Sequence, residues 1–346
     1  MKLNAELPII GMDIAKNVFQ LHIVDPETGE VERKKLKRDR VAPFFANRPP
    51  SVVALEACGG AHFWGRTLAA YGHRVKLLPA NQVRAFVVRD KSDARDAQAI
   101  WVAVQQPHLR EVPVKSEQQQ ACLVLHGLRS QLMKMRIMQT NGLRGILHEF
   151  GIVLPVGHQA LMKSIDAELA AAGDRLPDVL TQSIQEQCSR IHALQSDIDQ
   201  LDRRLLAMST ENTQMQSLQS IPGIGPLTAT ALVSTATDIN GFSSGRQFAA
   251  WLGLTPRQTG TGGKLKQLGI SKRGDAYVRM LLMHGARSVI ARSTRSTWIT
   301  RLLERRPYNV VVAALANKLA RTAWAILVNG TTFEKQKWEL SELAMS

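Results

Sequence analysis

The order of short apolar runs in the first hundred residues does most to limit what this chain can fold into. Ile9-Ile10-Gly11-Met12 is a strand-like run that delivers Asp13 at its end. Residues 18–24 alternate well enough to be its antiparallel partner, and Pro26-Glu27-Thr28-Gly29 supplies the turn into a third strand over 31–36. Val52-Val53-Ala54-Leu55-Glu56 reads as a buried strand ended by Cys58-Gly59-Gly60. A helix over 61–71 and a further strand over 75–78 follow.

A three-strand meander followed by alternating strands and helices is the RNase H-like order, an α/β fold. In such a sheet the ends of the first and fourth strands are neighbours, so Asp13 and Glu56 are expected to approach each other. Asp93 and Asp96 lie three positions apart in Lys91-Ser92-Asp93-Ala94-Arg95-Asp96, and on a helix that spacing puts both on one face. Taken singly, each carboxylate has a plain structural role open to it, as a turn opener, a paired polar group or a helix cap. Taken together they form an oxygen-ligand set suited to Mg²⁺ or Mn²⁺. One or two such ions activate nucleophiles and stabilise leaving oxygens at phosphodiesters.

From about 116 to 216 the chain reads as helical, with breaks at Pro155 and around residues 173–177. Ile191, Leu194, Ile198, Leu201, Leu205 and Met208 recur in steps of three and four. That is a coiled-coil seam, either between copies of the chain or within it.

Ser220 opens a third region. Ile221-Pro222-Gly223-Ile224-Gly225 between two helical segments is a helix-hairpin-helix-like turn, and Gly223 and Gly225 there allow backbone N–H groups to face a phosphate. A plain helical connection is the competing reading. Residues 256–269 read as a Gly/Thr/Lys-rich loop, followed by helices to about 328. Charge now becomes informative. The chain carries 44 Lys and Arg against 29 acidic residues, a net charge of +15, and residues 257–306 hold twelve of the basic residues with two acids. Such an excess favours a polyanionic partner. Lys264, Lys266, Lys272, Arg273 and Arg279 are the candidate phosphate contacts, and Ser271-Lys272-Arg273-Gly274-Asp275 reads as a helix start that binds phosphate. A second basic cluster (Arg33, Lys34, Lys35, Lys37, Arg38, Arg40) reads as either solvated surface or binding surface.

These residues bring the chain to a resemblance. Gly11-Met12-Asp13-Ile14-Ala15-Lys16, Leu55-Glu56-Ala57-Cys58-Gly59-Gly60 and Lys91-Ser92-Asp93-Ala94-Arg95-Asp96-Ala97 resemble the DEDD signature of insertion-sequence family one-hundred-and-ten transposases, the Piv-like recombinases. Phe248-Ala249-Ala250-Trp251-Leu252-Gly253-Leu254-Thr255-Pro256-Arg257-Gln258, Thr261-Gly262-Gly263-Lys264 and Gly269-Ile270-Ser271-Lys272-Arg273-Gly274-Asp275 resemble that family's C-terminal transposase domain. The resemblance spans roughly 8–330. It implies a RuvC-like nuclease domain, a coiled-coil bridge, a C-terminal domain supplying a serine nucleophile, and assembly on DNA as a tetramer of two dimers. It also implies a structured bridge RNA, transcribed from the element, that pairs with donor and target DNA. One position departs from the pattern. The family's serine stands in a Ser-Gly step after the Gly-Leu-Thr-Pro-Arg string, where this chain has Thr261 followed by Gly262. No serine occurs from Trp251 to Ile270. Thr261 is the candidate nucleophile, with Ser271 the fallback.

The expected organisation is therefore a RuvC-like DEDD nuclease domain over 1–112, a helical coiled-coil and dimerisation segment over 113–216, and a mainly α transposase domain over 217–346. The expected activity is DNA transposition through Mg²⁺-dependent cleavage and a covalent protein–DNA intermediate. A junction-selective endonuclease using water, or a non-enzymatic nucleic-acid-binding protein, are the alternatives. The three cysteines are far apart and form no metal or redox pair, which fits a reducing cytoplasm. No signal-peptide pattern opens the sequence. The apolar stretch 310–328 contains Lys318 and Arg321 and reads as a buried helix rather than a membrane span.

Overall fold

A computed structural model describes residues 7–87, 93–173, 176–261, 264–292 and 296–334. The chain divides into two compact units, Met1–Glu117 and Gln118–Ser346.

The first unit is a mixed sheet of β1 (Ile9–Asp13), β2 (Val18–Val24), β3 (Val31–Lys37), β4 (Val52–Glu56) and β5 (Arg74–Leu78). Its order is β3-β2-β1-β4-β5. β2 runs antiparallel to β1 and β3, while β1, β4 and β5 are parallel. Side-chain alternation decides the packing. Ile10, Met12, Phe19, Leu21, Ile23, Val53 and Leu55 share one face, buried with Val41 and Phe45 of α1 (Arg38–Ala46) and Trp64 and Leu68 of α2 (Ala61–Ala70). The sequence gives little warning of α1, because Pro43 lies inside it and lacks the N–H of a helix interior. Buried His73 bridges α1 and the residue before β4: its Nε2 donates to Phe45 O at 2.9 Å and its Nδ1 accepts from Ser51 N at 3.1 Å. After the short α3 (Ala80–Val83), α4 (Asp93–Val104) covers the opposite face, where Ala99, Ile100 and Ala103 pack with Ala54 and Leu78.

The second unit begins with a helical hairpin. α5 (Glu117–Glu149) and α7 (Asp178–Glu211) run antiparallel, as shown by Arg129 against Asp202, Arg136 against Gln195 and Gln139 against Gln187. α6 (His158–Ala172) closes a small core with them. The seam on α7 is buried inside the chain: Ile198, Leu201 and Leu205 are 2%, 7% and 0% exposed. Beyond it come α8 (Thr213–Gln219), α9 (Pro226–Thr235), α10 (Gly245–Trp251), the antiparallel pair β6 (Pro256–Thr261) and β7 (Lys264–Ile270), α11 (Ala276–Ala291), α12 (Thr297–Arg305) and α13 (Tyr308–Asn329). The region read from sequence as a loop over 256–269 is thus a β-hairpin. Its glycines and lysines mask the strand signal, because strand preference reflects packing on a half-buried face that this hairpin lacks. α13 is long and apolar enough to cross a membrane, yet it is the core helix of this unit, with Leu315, Ala316, Leu319, Ala320 and Ala323 fully buried.

Candidate active site and nucleic-acid surface

Alternation along β1 and β4 positions the first pair of carboxylates. Gly11 pairs with Ala54 and Met12 with Leu55 in a parallel ladder, so Asp13 and Glu56 come next on neighbouring strands about 4.8 Å apart. The apolar face takes Met12 and Leu55, which leaves Asp13 and Glu56 on the face covered by α4. Both are half-buried. Their shared field is felt by Cys58, whose thiol is pushed up first by burial and then by Glu56 and Asp13. Cys58 is a neighbour of the carboxylates that sequence reasoning treated only as an unpaired thiol. Its two-residue distance from Glu56 was the available signal.

α4 reaches this face through a glycine. A Cβ on Gly11 would lie 2.3 Å from Ala97 O and 2.8 Å from Trp101 Cβ, so only glycine lets the helix lie this close to β1. Asp93 and Asp96 stand in the first turn of that helix, as their spacing predicts. Asp96 is half-buried, and the side chain of Asp93 lies outside the described residues. Among the described residues no three His, Cys, Asp or Glu side chains are grouped closely enough to hold a metal ion. What the structure brings together is Asp13 and Glu56. Two carboxylates on one face repel unless a cation lies between them, and an all-oxygen donor pair suits a hard divalent ion.

In the second unit Thr261 is the last residue of β6, paired with Lys264 at the hairpin end. The side chains of Thr261 and Lys264 lie outside the described residues. Lys266 is exposed on β7, and Lys272 and Arg273 are exposed beyond it. Lys272 has φ 55°, the one non-glycine residue in the left-handed region among the described residues. Such backbone costs energy and tends to persist at functional sites.

Other candidates have structural duties. Arg279 donates from Nη1 to Leu252 O at 3.0 Å and to Arg273 O at 2.8 Å, clamping two loops. The helix start at 271–275 does bind an anion, but that anion is its own: Asp275 accepts from Tyr277 N at 2.8 Å and Val278 N at 3.0 Å. The carboxylate caps α11 where a phosphate was expected. Gly223, at φ 89°, faces inward, and a Cβ there would lie 2.7 Å from Gly285 O of α11. Its missing side chain therefore serves close backbone packing. Gly225 is exposed at the start of α9 with open space around it.

A buried polar bridge ties the helical hairpin to this core. His126 meets Tyr277 Oη at 3.0 Å and Thr230 Oγ1 at 3.0 Å. Burial, and next the charge of Arg129, push the imidazole down to about 4.

Comparison with known proteins meets these two regions separately. Residues 10–152 match the IS110-type DEDD transposase family, and residues 215–301 match the family described as Transposase IS116/IS110/IS902. The chain is 44% identical over 330 residues to a "Probable family 20 transposase" of Pseudomonas aeruginosa, covering 94% of this chain and 98% of that one. It is 37% identical to the transposase for insertion sequence element IS1328 of Yersinia enterocolitica, over 94% of this chain and 98% of the relative. For the transposase of IS1111A of Coxiella burnetii the identity is 35%, over 95% and 92%. A carboxylate pair on one sheet, a basic helical unit and relatives matched along nearly their whole length agree: the chain belongs to the IS110/IS116/IS902 family of insertion-sequence transposases.

Proposed function

We propose that this transposase cuts and rejoins DNA with a carboxylate-bound divalent ion in its N-terminal unit and the Thr261 hydroxyl in its C-terminal unit. The observation that carries the reading is the parallel register of β1 and β4, which leaves Asp13 and Glu56 on one face beneath α4. The β3-β2-β1-β4-β5 order is the arrangement an RNase H-like, RuvC-like nuclease requires, and supports that assignment. Asp13, Glu56, Asp93 and Asp96 would hold Mg²⁺ or Mn²⁺, which supplies Lewis-acid stabilisation of charge at the scissile phosphate.

The chain's own residues do the rest. The Thr261 oxygen attacks phosphorus, a Thr–O–P bond forms and one P–O bond of the DNA backbone breaks. The departing sugar hydroxyl takes a proton, and the threonine gives one up. Attack by the hydroxyl of another strand reverses the step and frees Thr261. One phosphoester replaces another at each stage, so no nucleotide hydrolysis is needed. Lys266, Lys272 and Arg273 hold phosphates by charge.

Strand exchange needs several cut ends held together, so the active form is an oligomer, a dimer pairing into a tetramer. The seam on α7 is occupied within the chain, whereas Val124, Leu128, Met135, Met138 and Ile146 project from α5 at 57%, 46%, 39%, 63% and 42% exposure. That apolar face supports pairing through α5. A structured RNA encoded by the element chooses the sites, a reading supported by the family resemblance and the basic surface.

Incubating the protein with element ends and Mg²⁺ should yield DNA covalently bound to protein. Metal-dependent nicking with no adduct would favour the water-using endonuclease, and binding with neither would remove the catalytic reading.

A further inference from the structure

A cavity of about 1140 Å³ opens beside the β6–β7 hairpin in the C-terminal unit, walled by the hairpin, the turn after it, and α11, α12 and α13. It lies just above the roughly 300–1,000 Å³ range typical of small-molecule sites. Among the described residues its lining carries Arg257, Lys272, Arg287 and Arg321 and no carboxylate. Much of the remaining wall is apolar, and Trp298 contributes an aromatic ring. The Lys318 ammonium lies 5.0 Å from that ring's centroid. Lys318 itself is only 4% exposed.

Arg321 is the informative residue. It is half-buried on the cavity side of α13, beside Asn317, and its Nε is buried with no hydrogen-bond partner among the described residues. A second guanidinium, that of Arg246, is near enough to oppose its charge. A buried N–H without an acceptor is costly, so an acceptor carried in by a ligand would be favoured there. Asn317, one turn before it, is fixed by donating to Leu254 O at 3.2 Å.

An inorganic anion would use the cations and waste the apolar wall and the ring. An apolar ligand would leave four cations unmatched. A nucleotide uses both, because its phosphates meet charge while its base stacks on an aromatic face. We infer that this cavity receives one unpaired nucleotide of a bound strand, its base against Trp298 and its phosphates on Arg257, Arg287 and Arg321. The inference rests on the chain being a DNA-acting transposase and is independent of which hydroxyl attacks. The strand can be DNA or the guide RNA, since both offer the same base-and-phosphate chemistry.

The test measures binding of nuclease-treated full-length protein to short oligo-dT and oligo-rU by fluorescence anisotropy, with chelator present so that no cleavage occurs. A paired duplex of equal length is the control. Trp298→Ala should weaken single-strand binding by about 5- to 150-fold and change duplex binding less. Arg257→Gln with Arg287→Gln, both at exposed positions, should lower the log–log salt slope by about 1.4 for single strands. Should Trp298→Ala fail to fold, photo-crosslinking of 5-iodouracil oligonucleotides to the unmodified protein replaces it, and the crosslink should map to the peptide containing Trp298. Loss with dT, with rU or with both supports the pocket and names the strand it serves. Unchanged affinity and slope in the arginine variants, or crosslinks mapping only elsewhere, would overturn it. Because no metal is present, that failure leaves the strand-exchange chemistry untouched.

Discussion

The two units handle charge in opposite ways. The N-terminal sheet is apolar on one face and covered by α4 on the other, and its informative charges are two carboxylates at strand ends. The C-terminal unit spreads cations over a hairpin, two loops and three helices, and turns some of them to internal use. Arg279 holds backbone carbonyls, Arg321 lies in a core helix, and Lys318 is buried against Trp298. In the first unit the covered strands β1 and β4 carry charge only at their ends, while the exposed edge strand β3 carries Glu32, Arg33, Lys34, Lys35 and Lys37. In the second, a long cationic side chain can clamp a loop, wall a cavity or face solvent from nearly the same sequence context.

The sharpest break of this comparison is removal of the carboxylates. Asp13→Ala or Glu56→Ala should abolish strand cleavage, a loss beyond the roughly 10–100-fold that follows loss of an outer-shell partner. DNA binding and the melting temperature should hold, since removing one of two like charges relieves repulsion. Full activity in both variants would end the carboxylate assignment.

The helical hairpin comes next. Leu205 is fully buried inside the chain, so Leu205→Ala should lower stability by about 2–5 kcal/mol in denaturant melts. If mass by light scattering falls while stability holds, the seam works between copies after all.

A smaller effect is a pH dependence that both units share, since burial also lowers His62 of the N-terminal unit to about 4. The His126 imidazole takes its proton near 6.5 when unfolded and at about 4 when folded. Between those values the unfolded chain binds more protons. The stability it contributes is complete above pH 6.5 and is lost as pH falls toward 4, by up to about 1.4 kcal/mol per pH unit. His126→Gln should flatten that slope for the C-terminal unit. An unchanged slope would mean another group governs it.

The smallest effect sorts the cations. Neutralising Lys266, Lys272 and Arg273 should each lower the log–log salt slope for duplex binding by about 0.9. Arg279→Gln should instead lower stability and leave the slope nearly unchanged. Equal slope changes at all four would show that Arg279 also meets phosphate.

These contrasts explain what could be read from sequence. The five strands and the positions of Asp13 and Glu56 were legible because alternation over a covered sheet admits one register. α1 was hidden by Pro43, and the hairpin over 256–270 by its glycines and lysines. The capping role of Asp275 and the clamping role of Arg279 were illegible for a different reason. Each depends on a loop folded back from elsewhere, and no periodicity encodes that. Gly223 looked like half of a phosphate-binding turn because its partner, Gly285, lies 62 residues on.

The central claim is that a threonine hydroxyl in the C-terminal unit completes chemistry begun at the N-terminal carboxylates. The most direct measurement is mass spectrometry of the protein–DNA adduct after nuclease and protease digestion, with Thr261 variants alongside. The account predicts a phosphothreonine on the peptide containing Thr261, none in Thr261→Val, and retained or increased adduct in Thr261→Ser, which loses the methyl that crowds the attack. Wild-type recombination by Thr261→Val, or an adduct mapped to Ser271, would contradict it.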